Sequence, residues 1–324
     1  MSSYEREVAT AVAAVGQAAA VCQRVQSEIS PESLAKKDKS PVTVADYSSQ
    51  ALICRELERA FPDDPVIAEE DSAELRTPDH ADFLQRVHAQ IERQDIHAST
   101  DQICQWIDRG NTKAFCPRFW TLDPIDGTKG FLRGEQYAIS LALVVNGEIV
   151  VAALACPNLP FGDGKGAVYS AVKGKGANAV ALAGKSQPTP IHVSPRTRAA
   201  DARFCESVEA GHSSHSESEE VAQRVGTTAL PVRIDSQAKY ALVASGEAEV
   251  YLRLPTRADY REKIWDHAGG VLVATEAGGQ VTDVTGKPLD FTQGRELVMN
   301  RGVVVTNGQV HAPILKALAD IGVR

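Results

Sequence analysis

RFWTLDPIDGTKGFLRGEQYAISLAL, residues 118–143, joins an apolar run to a turn crowded with acids, glycines, a threonine and a lysine, and then to a second apolar run. The aromatic and β-branched residues on either side predict strands, with the polar turn between them. The second strand continues past Val145 to Asn146-Gly147, the preferred pair for a two-residue hairpin turn, and into EIVVAALACP. Within the polar turn, Asp123 and Asp126 are separated by Pro124 and Ile125. Proline fixes φ and lacks an N–H, which stiffens the turn. Both carboxylates are therefore expected to point into one small volume. Mg²⁺ is a hard cation that takes oxygen ligands, so the pair reads as a metal site, with the Ile125 carbonyl as an added ligand. Gly127 lets backbone approach an anion closely. A helix starting at Gly127 or Thr128 would offer free N–H groups to a phosphate. The Thr128 hydroxyl is placed to orient a water. Asp-Gly alone is an ordinary turn; it is the density of the whole decapeptide that favours a site.

Working outward, the N-terminal side reads as helix, loop, helix and short strand. EVATAVAAVGQAAAVCQRV (7–25) repeats its larger residues at helical spacing and predicts a packed amphipathic helix, capped by Ser2 or Ser3. No run is expected to be long enough to cross a bilayer. PESLAKKDKSPVTVADYSSQ (31–50) is a turn-rich loop whose KKDKS reads equally as a mobile basic flap or a solvated charge run. It leads into a helix over about 47–60. PVIAEED (65–71) is a short strand that delivers acids at its end, and residues 72–112 are expected to be a helical excursion.

On the C-terminal side the rhythm becomes strand–helix–strand: PVRI, DSQAKYALVAS, AEVYLRL. DHAGGVLVATEAGG (266–279) then reads as a helix closed by glycines. A strand, GVVVTN, and a final helix, VHAPILKALADIG, complete an α/β second half. The Pro- and Gly-rich CPNLPFGDGKG (156–166) suggests a boundary, giving an α+β part over 1–160 and an α/β part over 161–324.

The chain has 324 residues, 43% of them hydrophobic, and a formal charge of −8. That balance supports a sizeable core and argues against nucleic-acid polymers as partners. No membrane partner is expected. The six cysteines form no CxxC pair, so zinc-ribbon and thioredoxin readings are weak, and reduced, mostly buried thiols are expected. With no signal peptide legible, an intracellular, cytoplasmic protein is expected.

Three further acids resemble the central pair in setting. Asp46 and Asp266 each stand at a helix start, where a capping role is the simpler reading of either alone. Glu69, followed by Glu70 and Asp71, ends a strand. Together, DPIDGTKGF and WDHAGG resemble the paired signature of the inositol monophosphatase superfamily, Mg²⁺-dependent and commonly lithium-sensitive phosphate monoesterases. The resemblance narrows through KDKSPVTVADYSSQ, FPDDPVIAEED, the 118–143 block, GHSSH, DSQAKY and YLRLP…YREKIWDHAGG to the 3′(2′),5′-bisphosphate nucleotidases of fungi and plants.

That resemblance implies a layered α-β-α-β-α fold and direct attack by water without a phospho-enzyme. It implies metal ligation by Glu69, Asp123, the Ile125 carbonyl, Asp126 and Asp266, with two or three Mg²⁺. Asp46, Glu69 and Thr128 become the catalytic residues, with Thr128 hydrogen-bonded to Asp46 or Glu69. Gly127, Thr128, Glu209, Gly211, His212, Ser236, Lys239, Arg253 and Asp266 become substrate contacts. Two departures from the pattern stand out: Ala68 where the family carries Gly, which leaves Glu70 as a stand-in for Glu69, and Gly269 where Ala is more usual. The implied reaction is hydrolysis of 3′-phosphoadenosine 5′-phosphate (PAP) to AMP, with its sulfated relative PAPS as a second substrate and a monomer as the working unit. An inositol phosphate phosphatase and a non-catalytic nucleotide or metal sensor are the rival readings. His212 and His215 as a separate metal site are disfavoured for want of convergent ligands.

Overall fold

The computed structural model of the chain describes residues 4–28, 44–184, 186–209, 213–257 and 259–323. The first half is a seven-stranded sheet in sequential order: β1 (Val66–Ala68), β2 (Arg118–Asp126), β3 (Ala138–Val145), β4 (Glu148–Phe161), β5 (Gly164–Val172), β6 (Ala177–Ala181) and β7 (Thr189–Ile191). Only β1 runs parallel to its neighbour; the rest is an antiparallel meander. The β3–β4 hairpin turns on Asn146 and Gly147, both with positive φ (51° and 83°), as the Asn-Gly pair requires.

Two helices cover one face, α1 (Glu5–Glu28) and α2 (Val44–Ala60). Half of the buried stripe of α1 is alanine, Ala11, Ala14, Ala18 and Ala19, so α2 and the sheet approach it closely. By length and composition α1 is long and apolar enough to cross a bilayer, contrary to the sequence expectation. Its stripe is instead spent in the protein core with Leu52, Ile53 and Trp120. A short 3-10 turn and two helices, α3 (Ala81–Glu92) and α4 (Thr100–Asp108), fill the excursion before β2. The Ser2/Ser3 cap and the KKDKS segment lie outside the described residues.

The second half is a five-stranded mixed sheet of order β11-β12-β10-β8-β9, built from β8 (Phe204–Glu206), β9 (Val232–Arg233), β10 (Val250–Arg253), β11 (Gln280–Thr282) and β12 (Val303–Thr306). Two helices, α7 (Ala238–Ala244) and α8 (Ala268–Glu276), lie between the sheets. The outer layer is α6 (His215–Val225) and α9 (His311–Asp320). The expected α-β-α-β-α layering is therefore present. A Cβ on Gly269 would lie 2.3 Å from Ser140 Oγ, so glycine there lets α8 sit directly on β3.

The expected division at 160/161 falls inside β4. The Pro- and Gly-rich segment makes the β4–β5 hairpin and its bulge, and the change of sheet comes after Ile191. All six cysteines are free, five of them buried, as the lack of CxxC spacing suggested.

Candidate active site

The site forms where β2 ends. In a regular strand, residues three apart face opposite sides. Between Asp123 and Asp126 the register slips: Asp123 pairs with Ser140 but Asp126 with Ala138, so β2 carries one extra residue there. This bulge contains Pro124, which has no N–H to lose from the ladder. The extra residue turns both carboxylates into the same cavity. Ser49 on α2 donates to the Pro124 carbonyl at 2.9 Å and fixes the bulge from behind. Gly127 follows at φ +88°, and a Cβ there would come within 3.0 Å of Ser236 Cβ. The helix α5 (Thr128–Leu132) then begins.

The cavity is about 340 Å³ in volume, and Glu69, Asp123, Ile125, Asp126, Gly127, Thr128 and Asp266 all line it. Glu69 arrives from the end of β1, and Asp266 from the loop before α8. Asp46 sits buried in the first turn of α2, behind this group, where its charge is felt by Glu69 and Asp123. All five predicted acids therefore converge.

Their electrostatics are dominated by burial and mutual repulsion. Glu69 is an accessible residue, but its surface lies in the concave cavity. That enclosure, together with Asp46 and Asp126, pushes its carboxyl up to about 7. Burial, then Glu69 and Asp126, push Asp123 well above the usual carboxylate range. Asp266 is raised for the same reasons, burial first and then Asp126 and Glu69. Asp126 is raised by burial but relieved by Lys239 and by the Gln237 N–H, which donates to its Oδ2 at 2.6 Å. Asp123 Oδ1 is buried without a hydrogen-bond partner among the described residues. An orphaned buried carboxylate oxygen amid mutually repelling carboxylates and the Ile125 carbonyl suits a hard divalent cation, and the one nitrogen ligand at hand, His267, has its ring nitrogens engaged by Tyr240 and Glu262. Glu70 is also raised, to about 9, by burial and Asp46. It does not line the cavity, and its backbone is tied to Gln50. Of the two, it is Glu69 that faces the cavity.

Thr128 differs from expectation. Its hydroxyl donates to the Ile125 carbonyl at 3.4 Å rather than to Asp46 or Glu69. This follows from its place one residue after Gly127, at the first turn of α5, where the carbonyl three residues back is within reach.

Another part of the lining is cationic. Ser236 (φ +70°), Lys239 and Arg253 line it. Lys239 is 3% exposed, donates to the Ile234 carbonyl at 3.1 Å and lies 5.2 Å from the Tyr251 ring centroid. Burial lowers it to about 8, although Asp126 opposes the fall. Arg253 Nε donates to both Glu262 oxygens at 3.1 and 3.2 Å. Burial alone would raise Glu262. The His267 hydrogen bond, at 3.1 Å, and Arg253 instead hold it at about 2. His267 in turn meets the Tyr240 hydroxyl at 2.7 Å.

Glu209 is placed differently from its predicted role. It pairs with Lys129 at 3.3 Å and Arg133 at 2.7 Å, and Arg133 also pairs with Asp235. It therefore ties α5 to the loop after β8 instead of lining the cavity. Gly211 and His212 lie outside the described residues. His215 bonds the Ser207 carbonyl at 2.9 Å.

Several residues of the site were not singled out from sequence. Gln237 joins the two halves: beyond its N–H on Asp126, its Nε2 donates to Trp265 O at 2.9 Å, and its Oε1 accepts from Ser140 and from the Gly270 N–H. Its only sequence signal was its place inside DSQAKY. Lys129, Tyr251, Tyr260 and His267 also line the cavity.

The model of the inositol monophosphatase family matches residues 6–322. A 3′(2′),5′-bisphosphate nucleotidase of Schizosaccharomyces pombe is 42% identical over 98% of this chain and 96% of its own length. One from Oryza sativa is 43% identical over 98% and 94%. Among solved structures, the Thermotoga maritima IMPase superposes with a TM-score of 0.64 at 21% identity, covering 96% of this chain and 95% of its own. CysQ from Bacteroides thetaiotaomicron, a bacterial member of the same family, gives 0.64 at 20% identity over 94% and 98%. These structural likenesses carry the fold, and the family in general depends on a metal, Mg²⁺. With residues 6–322 matched and its acids converged at the end of β2, the chain belongs to the inositol monophosphatase family.

Proposed function

We propose that this chain hydrolyses the 3′-phosphate of PAP, giving AMP and inorganic phosphate, with PAPS as a second substrate. The observation that carries the reading is the mixed lining of the cavity. Glu69, Asp123, Asp126 and Asp266 line it, with Asp46 buried behind them, and Ser236, Lys239 and Arg253 line it as well. A substrate with two phosphates matches both sets. The names of the fungal and plant relatives support the same substrate class.

At the acidic end, Glu69, Asp123, the Ile125 carbonyl, Asp126 and Asp266 would hold Mg²⁺. When bound there, the ions supply water activation and neutralise charge on the transferring phosphoryl group. The four ligating carboxylates carry about −4 when ionised and Asp46 behind them adds about −1; two Mg²⁺ return roughly +4 and three roughly +6, so the third ion is what turns the site positive toward a dianion.

The remaining work belongs to the chain. Thr128, whose hydroxyl proton is directed at the Ile125 carbonyl, would offer its hydroxyl oxygen to the attacking water, and Glu69 would take up one of that water's protons, with the charge of Asp46 behind it. Water forms the new P–O bond as the bond to the 3′ oxygen breaks, and that oxygen takes up one proton through solvent, so no net proton is gained or lost. Lys239 and Arg253, with the Ser236 hydroxyl, hold the 5′-phosphate. Tyr251 and Tyr260 offer aromatic surface beside Lys239 and Arg253. Because the 5′-phosphate grip is pre-paired with Ile234 and Glu262, it is rigid before substrate arrives, which limits the ordering cost of binding.

The test is a substrate panel in Mg²⁺: phosphate release from PAP, inositol 1,4-bisphosphate and inositol 1-phosphate. PAP is expected to be turned over with the highest kcat/KM. No detectable turnover of PAP overturns the proposal, and preferential release from an inositol phosphate replaces it with that activity.

A further inference from the structure

Glu69 and Asp266 reach the cavity from opposite ends of the chain, and their separation must be set by something that touches both neighbourhoods. Arg295 does so. Its Nη2 donates to the carbonyl of Ala68, the residue before Glu69, at 2.6 Å. Its Nη1 donates to Thr112 O at 3.3 Å, on the loop that closes back against β1. The guanidinium carbon lies 4.5 Å from the ring centroid of Trp265, the residue before Asp266. Its backbone is held as firmly. Ile264 N–H donates to Arg295 O at 3.1 Å, and Leu297 N–H donates to Glu262 O at 2.8 Å. Lys263 pairs with Glu296 alongside, in an isolated antiparallel bridge. Arg295 does not itself line the cavity.

We propose that Arg295 is a positioning residue for the metal acids: its flat, forked side chain clamps the end of β1 onto the face of Trp265 and thereby sets the spacing of the Glu69 and Asp266 carboxylates. Two features favour arginine for this task. A guanidinium is planar, so it stacks on an indole while its two outer nitrogens reach separate carbonyls; an ammonium cannot do both. It also brings a fixed positive charge near Glu69, which opposes part of the rise imposed there by burial and by the other acids. The anchoring partners are main-chain carbonyls, so the clamp acts on backbone position. The clamp's own hydrogen bonds take up no carboxylate oxygen of Glu69 or Asp266.

This inference rests on the reading of Glu69 and Asp266 as metal ligands, and not on the identity of the substrate. It is tested by titrating Mg²⁺ into metal-stripped protein by calorimetry, beside melting curves in chelator, for the parent, Arg295→Gln and Arg295→Lys. Arg295→Gln is expected to weaken Mg²⁺ about tenfold, which is ~1.4 kcal/mol. Arg295→Lys keeps the charge but loses the fork and the stacking plane, and should lose most of the same affinity. Trp265→Phe, which keeps an aromatic face, should lose less than about threefold. If both Arg295 variants bind Mg²⁺ like the parent while melting lower, Arg295 is merely structural and the proposal fails. If Arg295→Gln does not fold, Arg295→Lys decides: parent-like affinity there overturns the clamp. A protein that ignores PAP yet shows the weakened Mg²⁺ binding would uphold the clamp and refute the substrate.

Discussion

The two walls of the cavity are built on opposite principles. The acid wall is held under mutual repulsion: Asp123 keeps an oxygen without a partner among the described residues, and Glu69, Asp123 and Asp266 are all pushed up by burial and by neighbouring acids. The cationic wall is complete: Lys239 rests on Ile234 O, Arg253 on Glu262, and Glu262 on His267. One set of side chains therefore suits a cation as its partner, while the other is already paired within the chain. The contrast teaches where each kind of perturbation should act. Damage to the acid wall should change the rate and the response to metal. Damage to the cationic wall should change the hold on the second phosphate.

The largest effect should come from Asp126→Asn. Asparagine can still accept the Gln237 N–H, so the fold is retained, but one carboxylate leaves the metal set. Turnover of PAP should fall about 10³-fold or more, measured as released phosphate under saturating Mg²⁺. Near-parent turnover would break the contrast at its acidic side.

Lys239→Met should raise KM for PAP roughly 10- to 100-fold and leave kcat for a substrate with one phosphate little changed. A pH profile sharpens this. Lys239 is lowered to about 8, so it is charged below that pH and neutral above it. For the parent, kcat/KM for PAP should therefore decline above about pH 8, and Lys239→Met should flatten that limb. Equal losses for substrates with one and two phosphates would show that the two walls are not separate.

A third, smaller effect concerns stability without metal. Glu69 is raised from 4.5 to about 7 and Glu70 from 4.5 to about 9, so the folded chain binds more protons than the unfolded one across that range. Their contribution to stability is complete below about pH 4.5 and is lost as pH rises through these values. In chelator, the melting temperature should fall by on the order of a few degrees between pH 5 and 9. Added Mg²⁺ should recover it at the high-pH end. Melting that rises with pH in chelator would contradict the electrostatics of the acid wall.

The smallest effect should be Glu209→Gln. That carboxylate is occupied on the rim by Lys129 and Arg133, and a partly exposed pair of this kind is worth little. A change of less than about threefold in KM for PAP is expected. A loss as large as that of Lys239→Met would move Glu209 back among the substrate contacts.

Much of this was legible in residues 118–143, because bulge, proline and glycine act over a few bonds. Asp123, Asp126 and Gly127 could be read together, and Asn146-Gly147 named its own hairpin. Lys239 and Arg253 were legible because a helix and the next strand brought both to one wall. What stayed hidden depends on distant partners. Gln237 is one polar residue in a helix start until Asp126, Ser140 and Trp265 arrive around it. Glu262 and His267 look like ordinary charges until Tyr240 and Arg253 close the chain of hydrogen bonds. The boundary placed at 160/161 failed for a related reason. Proline and glycine mark a turn, but only strand pairing says whether the turn lies within a sheet or between two, and here pairing continues to Ile191. α1 was read correctly as a packed helix, yet its length and apolarity alone would also have fitted a bilayer.

The most direct test strips the protein of divalent ions and follows phosphate release from PAP while Mg²⁺ is returned stepwise. The account predicts release at the uncatalysed background in chelator and full recovery on adding Mg²⁺. Undiminished hydrolysis in the chelated sample would contradict it.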